Sequence, residues 1–259
     1  MTRRRSLLAV PAAAAASAAP SASSPAILEL RTFQLRNGAD GMVQRTSDFL
    51  SKSYSPALAR AGGKLNGAFS NLIAPNGPFV MALSSFDSMA TLDQTLQKMS
   101  ADGEYRKELE KLESKGGLSY VRVETNLLRA FPSMPSVEVP ATDAKRPARV
   151  FELRTYESNS PLTLKRKIGM FESGGEIDIF RRVGLQPVFF GEAIAGRQMP
   201  NLTYMLCYDS LAAREKNWAA FLADPAWLKL RATPGLSDLE IVSNISNTLL
   251  RPLPFSPIR

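Results

Sequence analysis

The chain contains one stretch of sequence twice. Glu29-Leu30-Arg31-Thr32-Phe33 returns as Glu152-Leu153-Arg154-Thr155-Tyr156 after 123 residues. Phe86-Asp87-Ser88-Met89 returns as Tyr208-Asp209-Ser210-Leu211 after 122. Ala101-Asp102 and Leu127-Leu128-Arg129 return as Ala223-Asp224 and Leu249-Leu250-Arg251, again after 122. Several motifs in one order at nearly one spacing mark a tandem duplication. Such a chain must fold one supersecondary unit twice. One residue is gained or lost between the first motif and the second. The copies span 26–131 and 149–259, the latter with a C-terminal tail. A segment with Pro132, Pro135, Pro140 and Pro147 joins them over 132–148, and its composition predicts an extended, exposed linker.

Each copy has the same pattern. Ile27 to Phe33 alternates Leu28, Leu30 and Thr32 with Glu29, Arg31 and Phe33, the two-residue period of a strand, and Val150 to Tyr156 repeats it. Helical stretches follow at 41–61 and 162–183, with Gly62 and Gly184 as stops. Strands are predicted near 65–73 and 79–86, then near 188–194 and 202–208. Asp87-Ser88 and Asp209-Ser210 suit the N-caps of helices over 89–99 and 211–222. Asp224-Pro225 opens a further short helix carrying Trp227. Last strands are predicted over 119–128 and 239–250. The order β-α-β-β-α-β is ferredoxin-like. The predicted fold is α+β, with two tandem ferredoxin-like repeats closing into one intramolecular α/β barrel.

Composition limits the chemistry. The 259 residues include no His and a single Cys. Ser-His-Asp and Cys-His nucleophilic sites, His-ligated zinc and His-bound haem are therefore excluded as usually built. Cys207 has no partner for an internal disulfide and sits in an apolar strand, where burial is the default. No metal site and no cofactor are expected. The formal charge of +8 includes Arg3, Arg4 and Arg5, and without them it is +5. The remaining charges are scattered, so no nucleic-acid partner is expected.

Residues 1–25 read as a signal peptide and unstructured start. Arg4-Arg5-Ser6-Leu7-Leu8 resembles the bacterial twin-arginine motif, and an Ala-rich apolar run with small residues at Ala16-Ser17-Ala18 follows it. This predicts export, to the periplasm. Elsewhere no stretch approaches the length of a membrane span.

The repeated Glu-Leu-Arg-Thr-Phe/Tyr strand carries a resemblance, together with Tyr208-Asp209-Ser210-Leu211 running into Trp218-Ala219-Ala220-Phe221-Leu222-Ala223-Asp224-Pro225-Ala226-Trp227 and the closing Leu249 to Pro257. The mature chain resembles the NIPSNAP family of the dimeric α/β-barrel superfamily. The first copy departs further, with Gly103 and Tyr105 where the second has Pro225 and Trp227. The resemblance implies the barrel fold strongly and the chemistry weakly. Its wider superfamily includes cofactor-free oxygenases, haem enzymes and small-molecule-binding or stress-response proteins, and the haem branch relies on a proximal His that this chain lacks.

The ligand-binding candidates are Glu29, Arg31, Glu152, Arg154, Tyr156, Glu192 and Tyr204. Glu29 with Arg31, and Glu152 with Arg154, share a strand face. Leu28 and Leu30 suit a layer under the helices, which would turn Glu and Arg into the barrel interior, where the Arg fork could take a carboxylate. The alternative is that each Glu pairs with its Arg and only organises the barrel. Phe33, Phe69, Phe189 and Phe190 could line the same cavity or be plain core. Tyr156, Tyr204 and Glu192 are the acid or base candidates. No catalytic residue is assigned.

Two functions remain open on these grounds. One is a binding or scaffold protein with a polar and aromatic barrel cavity, its partner a small molecule or a protein, with a homo-oligomer compatible. The other is a cofactor-independent oxygenase or isomerase acting on an aromatic or enolisable substrate. An open cavity in the barrel favours the enzyme, and a filled barrel favours the binding protein.

Overall fold

A computed structural model describes residues 24–38, 41–114, 118–141 and 147–259. The twin-arginine stretch lies outside the described residues. The first copy contributes β1 (Ile27–Gln34), α1 (Met42–Phe49), α2 (Ser55–Ala61), β2 (Lys64–Ile73), β3 (Phe79–Phe86), α3 (Met89–Ala101), α4 (Gly103–Ser114) and β4 (Arg122–Ala130). The second contributes β5 (Val150–Glu157), α5 (Pro161–Phe171), α6 (Glu176–Arg182), β6 (Gln186–Ala195), β7 (Asn201–Tyr208), α7 (Leu211–Ala223), α8 (Pro225–Arg231), α9 (Asp238–Ile241) and β8 (Asn244–Pro252).

Among the described residues eight strands close a barrel in the order β1-β3-β2-β8-β5-β7-β6-β4. Every pairing is antiparallel. Each copy forms a four-stranded ferredoxin-like sheet, and the edge strands cross-pair, β2 with β8 and β4 with β6. Neither sheet keeps a free edge, which removes the usual template for edge-to-edge association.

Local sequence explains the helices. Ser88 and Ser210 accept hydrogen bonds from the backbone N–H of Thr91 and Ala213. Ser160 and Thr163 form a reciprocal capping box at α5. Gly62 takes a left-handed φ of 105° to end α2, a conformation that favours glycine. The spacing between copies changes from 123 to 122 across the first helical stretch. There the first copy winds a π-helical segment, Leu50–Tyr54, between α1 and α2, and the second copy breaks at Gly174-Gly175.

Three stretches differ from the sequence reading. Residues 238–241 are a helical turn with a Ser237/Glu240 capping box, so the last strand starts at Asn244. The stretch 103–114 is helix α4, initiated by Asp102, whose carboxylate accepts from the N–H of Glu104 and Tyr105. The described part of the linker, 132–141, is partly packed. Met134 is buried, the Ala26 N–H donates to the Pro135 carbonyl, and Arg181 clamps Glu138 at 2.7 and 2.9 Å.

The barrel interior is filled. Leu28, Leu30, Phe69, Leu83, Leu128, Phe151, Phe189, Met205 and Leu250 form its buried core. Phe69 and Phe151 meet with centroids 5.0 Å apart. Ile258 of the C-terminal tail joins this core, and Arg149, just before β5, donates to the Arg259 carbonyl. A small polar notch of about 40 Å³ lies toward the opposite end, lined by Thr155, Asn201 and Thr203 among others.

Candidate functional site

Strand direction reverses the expected placement of the charges. Leu28 and Leu30 point into the barrel, and Glu29, Arg31, Glu152 and Arg154 lie on the outer face beneath the helices. The physical reason is the supply of partners. An interior walled by Leu, Phe and Met offers a buried carboxylate no donor, whereas the helices bring Tyr, Arg and Trp over the outer face. Burying a charge without partners costs far more than burying leucine.

In the second copy Glu152 is fully buried and both its oxygens are occupied. Oε1 accepts from Arg154 Nη1 at 3.0 Å and from Arg214 Nη2 at 2.6 Å. Oε2 accepts from the Tyr208 hydroxyl at 2.8 Å, Arg214 Nε at 2.9 Å and Trp218 Nε1 at 3.0 Å. Arg214 and Trp218 are one turn apart on α7, so a single helix face delivers both. Burial alone would raise the Glu152 carboxyl, but Arg214, Arg154 and Tyr208 hold it below its ordinary value.

Arg154 continues the cluster. Its Nη2 donates to the Tyr156 hydroxyl at 3.1 Å, and the Tyr204 hydroxyl donates to the same oxygen at 3.1 Å. The guanidinium carbon lies 4.3 Å from the Trp218 ring centroid, a cation–π contact. Arg154 Nε is buried without a hydrogen-bond partner. Burial drives the Tyr204 hydroxyl well above its ordinary pKa, so it stays a phenol.

A second group adjoins this one. Lys167 of α5 is 1% exposed and stands within 5.2–5.4 Å of the centroids of Tyr156, Phe171 and Trp227. It donates to Asp238 of α9 at 3.3 Å and lies 3.6 Å from Glu176 of α6. Burial would lower the Lys167 ammonium, but Glu176 and Asp238 carry it above its ordinary value. Burial pushes the Glu176 carboxyl up to about 7 against the pull of Lys167. Glu176 Oε2 and Trp227 Nε1 are buried without hydrogen-bond partners.

The first copy holds a reduced version. Arg31 donates to Glu29 Oε1 at 2.7 and 3.1 Å, but Glu29 Oε2 is buried without a partner. The repeat spacing puts Phe86, Leu92 and Leu96 where the second copy has Tyr208, Arg214 and Trp218. Phe33 and Ala82 replace Tyr156 and Tyr204, and Tyr54 stands in place of Glu176. Arg31 lies 5.8 Å from the Tyr54 ring centroid.

Four sequence candidates, Glu152, Arg154, Tyr156 and Tyr204, thus meet in one cluster. Glu29 and Arg31 pair with each other in the first copy. Glu192 is half-buried on β6 and is not a member. Phe33 and Phe190 lie under the helices, and Phe69 and Phe189 inside the barrel. Lys167, Glu176, Arg214 and Asp238 lie in none of the sequence motifs, and Tyr208, which opens the Tyr208-Asp209-Ser210-Leu211 motif, is not among the ligand-binding candidates. Lys167 closes the basic run Lys165-Arg166-Lys167 on α5, which reads as an exposed charged stretch and gives no sign that its last residue is buried.

The donor set does not fit a His-ligated haem. The chain has no His, and its one thiol, Cys207, is buried in the barrel interior with its pKa pushed by burial to about 12. Among the described residues no group of three His, Cys, Asp or Glu side chains could hold a metal ion, and no helix is long and apolar enough to cross a membrane.

Fold and cluster define the class: an α/β-barrel protein of two fused ferredoxin-like repeats, of which the second carries a buried polar site beneath its helices. Residues 151–257, nearly all of the second repeat, match the NIPSNAP family model. No curated protein matches the chain. Among solved structures, a candidate monooxygenase from Lactobacillus acidophilus superposes with a TM-score of 0.56 at 10% identity, covering 88% of this chain and 93% of that one. An anthrone oxidase-like protein gives 0.52 at 9% identity over 90% and 93%. A NIPSNAP-like domain protein from Burkholderia xenovorans gives 0.38 at 24% identity, over 42% of this chain and 90% of its own. The first two likenesses concern the fold.

Proposed function

We propose that the protein binds a small acidic ligand with an apolar body, and that its site is the cluster under α5–α9 of the second repeat rather than the barrel interior. One observation carries this reading: the first repeat is an internal control. It builds the same sheet and the same helix layer with Phe33, Ala82, Phe86, Leu92 and Leu96 at the matching positions. The fold therefore does not need the cluster. Buried charges are costly and seldom improve stability over apolar packing, so the cluster in one copy alone points to ligand recognition. Arg154 Nε and Trp227 Nε1 are spare buried donors, which suits an anionic head group. Phe171, Phe180 and Trp218 supply an aromatic wall.

The test is a thermal-shift and calorimetric titration with phenylacetate. Wild type binds, Arg154→Met does not, and Arg31→Met binds as wild type. Equal loss in both variants would point away from the second repeat. We further infer export through the twin-arginine signal. Changing Arg4 and Arg5 to Lys should retain the protein in the cytoplasm on cell fractionation, and unchanged export would refute the signal.

A further inference from the structure

We propose that Lys167 and Glu176 form an acid–base pair within this site. In it, Lys167 holds the carboxylate of an enolisable 2-oxo acid where Asp238 now stands, and Glu176 exchanges a proton with the carbon beside the carbonyl. This deepens the reading of the cluster as a ligand site and rests on it.

The geometry distinguishes this pair from a structural one. A buried ion pair that serves stability closes to hydrogen-bond distance and satisfies its remaining lone pairs. Here Lys167 and Glu176 stand 3.6 Å apart, and Glu176 Oε2 has no hydrogen-bond partner although it is buried. The hydrogen bond that Lys167 does make is to Asp238, whose side chain is 48% exposed. Asp238 opens α9, a four-residue helix whose Leu239 is almost fully exposed and whose Ile241 alone is buried. A ligand carboxylate arriving from solvent can therefore replace the Asp238 carboxylate at Lys167 with little disruption of the core. The same ammonium charge is satisfied before and after.

The proton step balances within the site. The C–H bond next to the ketone breaks, its proton goes to Glu176 Oε2, and its electron pair forms the carbon–carbon double bond. The carbonyl π electrons move to oxygen, giving an enolate, and Arg154 supplies the nearby fixed positive charge. Glu176 then returns the proton to the enolate oxygen, yielding the enol, or to carbon. No oxidant, metal or co-reactant enters. A general base works best with its pKa close to the operating pH, and burial has moved Glu176 in that direction. The first copy has Tyr54 at this position.

The probe is phenylpyruvate, with keto–enol interconversion followed by ultraviolet absorbance and loss of the benzylic protons followed by NMR in deuterium oxide. Wild type accelerates both over buffer. Glu176→Gln keeps phenylpyruvate binding in a thermal-shift titration and loses the acceleration at least about 100-fold. Asp238→Asn binds phenylpyruvate more tightly, because the internal competitor is gone. Tyr54→Phe behaves as wild type. Wild-type acceleration should also rise with pH as Glu176 ionises, which tests the pair even if Glu176→Gln folds poorly. Binding without acceleration in wild type, or Glu176→Gln exchanging as fast as wild type, overturns the acid–base pair and leaves the binding reading standing. Absence of any binding overturns both.

Discussion

Glu152 and Glu29 hold the same position in two copies of one strand, yet only Glu152 has both carboxylate oxygens hydrogen-bonded. The missing donors in the first copy trace to three side chains. Phe86, Leu92 and Leu96 have no polar group where Tyr208, Arg214 and Trp218 do. One backbone thus carries an elaborated polar layer in the second repeat and its remnant in the first.

Tyr208→Phe imposes the first-copy residue on the second. It removes the 2.8 Å hydrogen bond to a buried carboxylate. Hydrogen bonds to charged groups contribute about 1.5–3 kcal/mol, and three other donors still serve Glu152. The expected loss is therefore about 1–2 kcal/mol by urea unfolding. A variant as stable as wild type would show that the Tyr208 contact contributes nothing.

Glu176 makes stability depend on pH in a definite direction. Its native pKa is raised from 4.5 to about 7. Between those values the folded state keeps a proton that the unfolded state has released. Stability is therefore fully present below 4.5 and falls as pH rises through about 7. Thermal unfolding of Glu176→Gln, which has no such proton to lose, should fall less over that window. Parallel pH profiles for the two proteins would contradict the assignment.

The packed barrel interior predicts a cavity mutant. Phe151 is fully buried against Phe69 in the barrel. Phe151→Ala should cost about 3–5 kcal/mol. Phenylacetate binding, measured at a temperature where the variant is folded, should persist, because the proposed site lies on the other face of the sheet. Selective loss of binding in the folded variant would move the site into the barrel.

Cys207 should behave as a small hydrophobe. Burial raises its thiol to about 12, and the thiolate is the reactive form. A thiol reagent such as dithionitrobenzoate should leave it unmodified in the native protein at neutral pH and titrate one thiol after denaturation. Rapid modification of the native protein would contradict this burial.

Much of the fold was legible because repetition doubled each signal. The two-residue period of Ile27 to Phe33 and of Val150 to Tyr156, together with the paired Asp-Ser caps, located strands and helices to within a few residues. The face assignment was not legible. Alternation separates Leu28 and Leu30 from Glu29 and Arg31, but it cannot say which set faces inward. That choice depends on Tyr208, Arg214 and Trp218, some 60 residues downstream of Glu152, and on how α7 crosses the sheet. For the same reason Lys167 and Glu176 escaped notice, since only the packing of α5, α6 and α9 brings them together. The strand starting at Asn244 is read too early because Leu239, Ile241 and Val242 suit a strand, although Ser237-Asp238-Leu239-Glu240 carries the spacing of the capping box that winds this segment into a turn.

The central claim, that the ligand site lies under the helices of the second repeat, has a direct optical test. The chain has two tryptophans, Trp218 and Trp227, and both belong to that layer. Trp218 covers Arg154, and Trp227 faces Lys167. Titrating phenylacetate while following tryptophan fluorescence should give a saturable change in wild type and in Arg31→Met. The change should be absent in Arg154→Met. Saturable binding by calorimetry with no change in tryptophan emission, or with the same change in Arg154→Met, would contradict the account.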